Sequence, residues 1–133
     1  MTLTYIDSGV LIGATRGDPL TAHAMVGLLD GGGRIFASSI FVRLETIPKA
    51  AFFRNRDNER TFYDRFFATV SKWATIDDEL MRVAFDEACT TGLSAMDSLH
   101  VACAYQLRCD ELVTTEKISK PIHRNRLVRV LAI

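Results

Sequence analysis

The sequence predicts an α/β fold with a central, mainly parallel sheet of about five strands. Two observations carry this expectation: short β-favouring runs recur along the 133 residues, and apolar segments with helical spacing stand between them. Alternation of this kind covers a parallel sheet with helices on both faces and places sites in the crevice outside the carboxyl ends of the strands.

Taken in order, Leu3 to Ile6 reads as the first strand, ended by Asp7-Ser8-Gly9, and the apolar segment Val10-Leu11-Ile12 leads to a turn at Gly17-Asp18-Pro19. A helix is expected to start near Pro19, carry Met25, Leu28 and Leu29, and stop at Gly31-Gly32-Gly33, where glycine relieves a left-handed cap. Arg34 to Ser38 reads as strand two. Ser38-Ser39 supplies the N-cap of a helix bearing Ile40, Phe41, Leu44 and Glu45. Pro48 should kink or end that helix, so that two helices meet there. Residues 58–72 carry Phe62, Phe66, Phe67 and Val70 at near-helical spacing, and Trp73 to Ile76 is a third β-like run. Asp77-Asp78 caps the next helix, whose apolar face ends at Gly92. Ser94-Ala95-Met96-Asp97 opens another through Leu99, Ala102, Cys103 and Leu107. Glu111 to Thr114 and Val128 to Leu131 complete the strands.

The composition, 48% hydrophobic and 24% charged, suits one domain over residues 1–133 and excludes disorder, a coiled coil or a disulfide scaffold. Sixteen basic residues balance sixteen acidic ones, so bulk charge does not hold this chain to nucleic acid. The distribution is uneven. Residues 77–116 hold nine acids against two bases, whereas Lys117, Lys120, Arg124, Arg126 and Arg129 stand in the last 17 residues with no acid. That asymmetry suits an acidic metal-binding centre with a basic rim for phosphates, or equally a solvated basic tail. Cys89, Cys103 and Cys109 form no C-x-x-C pair and read as buried, reduced thiols. No export signal or membrane-length apolar run is visible, and a cytoplasmic location is expected.

Four acids stand where an α/β fold would gather them: Asp7 after strand one, Glu45 in the helix after strand two, Asp97 at a helix start and Glu116 after strand four. Singly, each has an ordinary explanation as a turn, cap or surface acid. Together they repel one another and raise one another's pKa unless a cation intervenes. An all-carboxylate set without Cys or His partners favours Mg²⁺ or Mn²⁺ over Zn²⁺, and such ions commonly serve phosphoryl chemistry.

These segments resemble the PIN domain ribonucleases, in particular the small toxins of VapBC toxin–antitoxin pairs. Tyr5-Ile6-Asp7-Ser8-Gly9-Val10-Leu11 is similar to the family's opening strand with its first catalytic Asp. Ser39-Ile40-Phe41-Val42-Arg43-Leu44-Glu45 resembles its Glu-bearing segment. Asp97-Ser98-Leu99-His100-Val101-Ala102-Cys103-Ala104 matches its D-x-L-H-x-A-x-A helix, and Leu112-Val113-Thr114-Thr115-Glu116 matches the strand and acidic end that follow. Two departures stand out: Glu116 replaces the usual Asp, and Gly9 stands where Asn or Ser is common, removing a polar helper beside Asp7. The resemblance implies a three-layer α/β/α sandwich, often a homodimer, that cleaves RNA with Mg²⁺ or Mn²⁺. In that scheme Asp7, Glu45 and Asp97 hold one or two metal ions, Glu116 orients a water, and Ser8 and Thr115 donate hydrogen bonds to a carboxylate or phosphate. An antitoxin protein would be the partner.

Other features read more plainly. His100 is expected to be a packed, hydrogen-bonded histidine, and His23 and His123 to be isolated and exposed. Gly31-Gly32-Gly33 lacks the G-K-[ST] of a phosphate loop. A haloacid-dehalogenase-like phosphatase would need a second Asp at position 9, where glycine stands. The aromatic residues Phe52, Phe53, Phe62, Tyr63, Phe66 and Phe67, interleaved with Arg54, Arg56, Arg60 and Arg65, read as helix core, an RNA-stacking surface or a groove for a partner helix. A PIN-like domain that binds RNA or protein without cleaving is the alternative reading of the whole chain.

Overall fold

In a computed structural model, which describes residues 1–53 and 57–133, five strands form one sheet. They are β1 (Thr2–Ile6), β2 (Arg34–Ser38), β3 (Lys72–Trp73), β4 (Glu111–Thr114) and β5 (Val130–Ala132), in the spatial order β3-β2-β1-β4-β5 and all parallel. Six helices flank the sheet: α1 (Ser8–Arg16), α2 (Pro19–Asp30), α3 (Ile40–Phe52), α4 (Asp57–Thr69), α5 (Asp78–Thr91) and α6 (Ala95–Gln106). The chain runs outward from β1 to β3, then returns through α5 and α6 to pair β4 on the other side of β1. The order therefore reverses between β1 and β4, and their carboxyl ends open the crevice where α/β sheets bind ligands. Ile6 pairs with Val113, and the Asp7 amide continues the ladder by donating to the Val113 carbonyl at 3.0 Å.

The strands at this switch point are buried on both faces, with Tyr5, Ile6, Leu112 and Val113 fully inaccessible. Val10 and Leu11 of α1, Val42 of α3 and Val101 to Ala104 of α6 fill the core around them. Caps follow the expected chemistry. Asp18 accepts from the Thr21 amide, Ser39 from Phe41, Asp77 from Leu80 and Ser94 from Asp97. Gly92 ends α5 in the left-handed conformation with φ 75°, and after α2 that role falls to Gly32 and Gly33 while Gly31 stays right-handed.

Several expectations need correction. The segment after Asp7 is a full helix, α1, rather than an apolar lead into a turn. Helix α3 runs through Pro48 to Phe52, so no two helices meet at that residue. Pro48 and Leu44 both face solvent, and water can satisfy the Leu44 carbonyl that a residue 48 amide would have capped. Replacing Pro48 by alanine is therefore expected to stabilise the fold by about 1–2 kcal/mol, because solvation already offsets part of the ~3 kcal/mol propensity gap. Denaturant melts of the two proteins check this; a less stable variant would mean that the proline ring packs usefully.

Strand β3 stops at Trp73 because the Thr75 amide and carbonyl bond the Gln106 side chain. Strand β5 starts at Val130 rather than Val128, since Asn125 Oδ1 takes the amides of Leu127 and Val128 into a turn. Cys89 is exposed and Cys109 half-buried, leaving Cys103 as the one buried thiol of the three. Among the described residues, no helix is long and apolar enough to cross a membrane.

Candidate active site

Asp7 is the residue between β1 and α1, in extended conformation at the N-cap position, yet its side chain makes no cap hydrogen bond. The carboxylate is turned to the crevice instead. There the Thr114 hydroxyl donates to Oδ2 at 2.9 Å, and the Ser8 hydroxyl reaches Oδ1 at 3.5 Å. Thr114 also accepts from the Glu116 amide at 3.1 Å, so one threonine at the end of β4 ties together the backbone of the fourth acid and the carboxylate of the first.

Glu45 lies two turns into α3, half-buried, with Oε1 2.6 Å from His100 Nε2. That hydrogen bond holds the Glu45 carboxyl below the usual carboxylate range, against the opposing effect of burial; the Ser8 hydroxyl and Lys49 add to the lowering. His100 is 1% exposed on α6, and its Nε2 also lies 3.8 Å from Asp7 Oδ1. Asp7, Glu45 and His100 thus each offer a ligand atom within 4.8 Å of the others.

Asp97 sits in the first turn of α6, half-buried. Burial raises its carboxyl above the usual range, and the negative charges of Asp7 and Glu116 push in the same direction. Of the four acids named from the sequence, Asp7 and Glu45 thus lie in direct proximity, and Asp97 lies within the fields of Asp7 and Glu116. This is an oxygen-rich donor set in which like charges face one another at Asp97, and a divalent hard cation fits it.

The helper residues divide. Ser8 is buried beside Asp7, its hydroxyl 3.5 Å from Asp7 Oδ1, and it also lowers the pKa of the Glu45 carboxyl, whereas Thr115 is exposed. Thr114, not Thr115, supplies the threonine hydroxyl to Asp7. Gly9 also acquires a different meaning: a Cβ there would collide with Thr115 Oγ1, so the glycine makes room for that hydroxyl. His123 is half-buried rather than isolated, and its Nε2 donates to the Glu116 carbonyl at 2.8 Å. It stands in a 3₁₀ turn, Pro121–Arg124. His100 is hydrogen-bonded and packed as expected, but it lies on the floor of the site. Its other partner, Tyr5, gave no sequence signal beyond that of a strand aromatic.

The aromatic segment divides: Tyr63, Phe66 and Phe67 are buried, Phe62 is half-buried, Phe52 and Phe53 are exposed, and Arg60 pairs with Asp64 at the surface. Phe62, Arg65 and Phe66 line a cleft with Leu29, Asp30, Phe36 and Thr69. Arg54 and Arg56 lie outside the described residues.

Comparison with known proteins follows the same lines. In fold, the chain is similar to VapBC2 from Rickettsia felis bound to a promoter DNA fragment, with a TM-score of 0.72, 12% identity, and coverage of 98% of both chains. It is also similar to VapBC-1 from nontypeable Haemophilus influenzae, with a TM-score of 0.68, 15% identity, and coverage of 98% of this chain and 97% of the other. A toxin–antitoxin complex from Klebsiella pneumoniae gives a TM-score of 0.65 at 18% identity, over 87% of this chain and 90% of that one. No curated protein matches the chain by sequence. The family model for the PIN domain matches residues 4–120, spanning all four acids, and the chain belongs to the PIN domain family.

Proposed function

We propose that the chain is a metal-dependent endoribonuclease that hydrolyses RNA phosphodiester bonds as the toxin of a toxin–antitoxin pair. What supports this is the proximity of Asp7 to Glu45, with Asp97 within the fields of Asp7 and Glu116, in a PIN domain whose strand order reverses between β1 and β4. Asp7, Glu45 and Asp97 would hold one or two Mg²⁺ or Mn²⁺ ions, which when bound supply Lewis acidity and a lowered pKa for coordinated water. Glu116 would orient the attacking water from its anchor on Thr114 and His123. Ser8 would donate its hydroxyl to Asp7, and exposed Thr115 would meet the phosphate.

Lys117, Lys120, Arg124 and Arg129 are exposed on the segment that follows Glu116, a suitable surface for an RNA backbone. Likeness in fold to toxin–antitoxin complexes supports an antitoxin protein as partner. A homodimer belongs to the same proposal; exposed Met81 and Phe85 beside Leu99 offer apolar surface for one. The proposed compartment is the cytoplasm, in keeping with three free cysteines.

The test is cleavage of a mixed panel of structured RNAs by the purified chain with Mg²⁺, Mn²⁺ or EDTA, beside the Asp7→Asn/Asp97→Asn double variant. Cuts that need metal and vanish in the double variant are expected. Folded wild type that binds Mn²⁺ tightly and cuts no RNA would transfer the assignment to a binding module.

A further inference from the structure

We infer that a directed hydrogen-bond chain, Ser39 to Tyr5 to His100, fixes the His100 proton on Nε2, so that His100 positions Glu45 as a donor and does not ligate the metal. The geometry alone would allow another role, since His100 Nε2 lies within ligand-sharing distance of Asp7 and Glu45. Hydrogen-bond directions decide between them.

A carboxylate has only lone pairs to offer, so the 2.6 Å contact between Glu45 Oε1 and His100 Nε2 needs a proton on the nitrogen. With Nε2 protonated, the neutral ring presents a lone pair at Nδ1, 2.8 Å from the Tyr5 hydroxyl. Tyr5 is fully buried, and its phenol hydroxyl has one proton to give. Once that proton points at Nδ1, the Tyr5 oxygen can accept from the Ser39 hydroxyl at 2.7 Å. Ser39 in turn accepts from the Phe41 amide at 3.2 Å as the N-cap of α3. The weakly bonding Cys103 thiol lies beside both hydroxyls, and the chain from Ser39 through Tyr5 and His100 runs toward Glu45. Chains of this kind reinforce themselves and lock ring orientation.

The chain begins and ends on the same helix, at the cap of α3 and at Glu45, and passes through β1 and α6 on the way. It therefore fixes the angle at which α3 presents Glu45 beside Asp7. Using the Nε2 lone pair as a ligand would require breaking the Glu45 bond and reversing the donors behind it. The site then offers oxygen alone, which favours Mg²⁺ or Mn²⁺ over Zn²⁺. His100 acts as a positioning residue, in the manner of outer partners that typically alter metal affinity 10- to 100-fold.

The inference rests on the proposed function only in taking Glu45 as a metal ligand, and its first test needs neither metal nor RNA. Nitrogen-15 NMR of the metal-free wild type at neutral pH should show a protonated Nε2 and an unprotonated Nδ1 on His100. A protonated Nδ1, or protons on both nitrogens, would overturn it. Pulsed EPR of the Mn²⁺-loaded protein should show no directly bound nitrogen; a coupling from a coordinated imidazole that disappears in His100→Gln would overturn it. By calorimetry, His100→Ala should weaken Mn²⁺ binding about 10- to 100-fold. His100→Gln, which keeps an N–H donor for Glu45, should recover most of that loss. If the NMR pattern holds and no RNA is cut, the nuclease assignment fails and the tautomer stands. If RNA is cut and Mn²⁺ carries an imidazole nitrogen, the tautomer fails and the nuclease stands.

Discussion

Replacing Asp97 by asparagine is expected to lower metal-dependent RNA cleavage by about 10²- to 10³-fold while making the metal-free protein more stable. The first effect follows from the proposed role of Asp97 as an anionic ligand, since metal-ion stabilisation of transition-state charge is worth several kcal/mol and each ~1.4 kcal/mol is tenfold in rate. The second follows from the surroundings of Asp97, whose carboxyl is raised by burial and then by the charges of Asp7 and Glu116. A carboxylate with a raised folded-state pKa favours the fold fully below its unfolded pKa, about 3.9, and loses that contribution as pH rises through the higher folded value. Above that window the ionised wild type carries like-charge repulsion that the neutral asparagine side chain of the variant would not. Partial exposure keeps the gain to a few degrees in Tm.

Metal inverts the order. A ligand at 100 times its Kd adds about 2.7 kcal/mol to the stability of the protein that binds it. Wild type should therefore melt below Asp97→Asn in EDTA at neutral pH and above it in saturating Mn²⁺. The measurement is thermal unfolding of both proteins in the two conditions from pH 4 to 8, with cleavage in parallel. Full cleavage by the variant would remove Asp97 from the site, and a variant less stable than wild type in EDTA would show that its neighbours do not repel it.

The elements that carry the four candidate acids were legible in the sequence because each has a local signature: β1 and β4 are short apolar runs, and α3 and α6 open on serine caps. What escaped was mostly tertiary. Helix α1 is the local exception, hidden because Gly9 and Gly13 punctuate its nine residues and Gly17 follows them, so that Asp7-Ser8-Gly9 read as the end of a strand although Asp7 stands at an N-cap. Thr114 and Thr115 are adjacent in sequence, and only the register of β4 decides which hydroxyl meets Asp7. Tyr5, Ser39 and His100 come from three distant segments, and nothing local marks a hydrogen-bond chain that exists only once β1, α3 and α6 have packed. Pro48 misled for the opposite reason: its local rule is sound, but solvent relieves it on the exposed side of α3.

Glu87→Ala is expected to cost about 2–4 kcal/mol of stability, and its effect should reach the site from a distance. Glu87 stands in the acidic stretch of residues 77–116, and its side chain on α5 is 1% exposed. It accepts the Arg126 amide at 2.8 Å and the Arg126 guanidinium at 2.9 Å. Hydrogen bonds to charged groups contribute about 1.5–3 kcal/mol. The guanidinium bond is worth less because the Arg126 side chain is 60% exposed, so most of the loss comes from the stranded amide and the vacated space. Glu87→Gln keeps an acceptor for that amide and should cost about half as much. The residues this carboxylate anchors lie between the 3₁₀ turn and β5, and the same turn holds Glu116 through His123. Hydrogen exchange should therefore show amides 123–128 losing protection in Glu87→Ala before the central strands do. RNA cleavage should fall further than the small unfolded fraction explains, because Glu116 loses the backing that His123 provides. Cleavage that follows the folded fraction alone would mean that Thr114 suffices to hold Glu116 and that the C-terminal segment serves stability only.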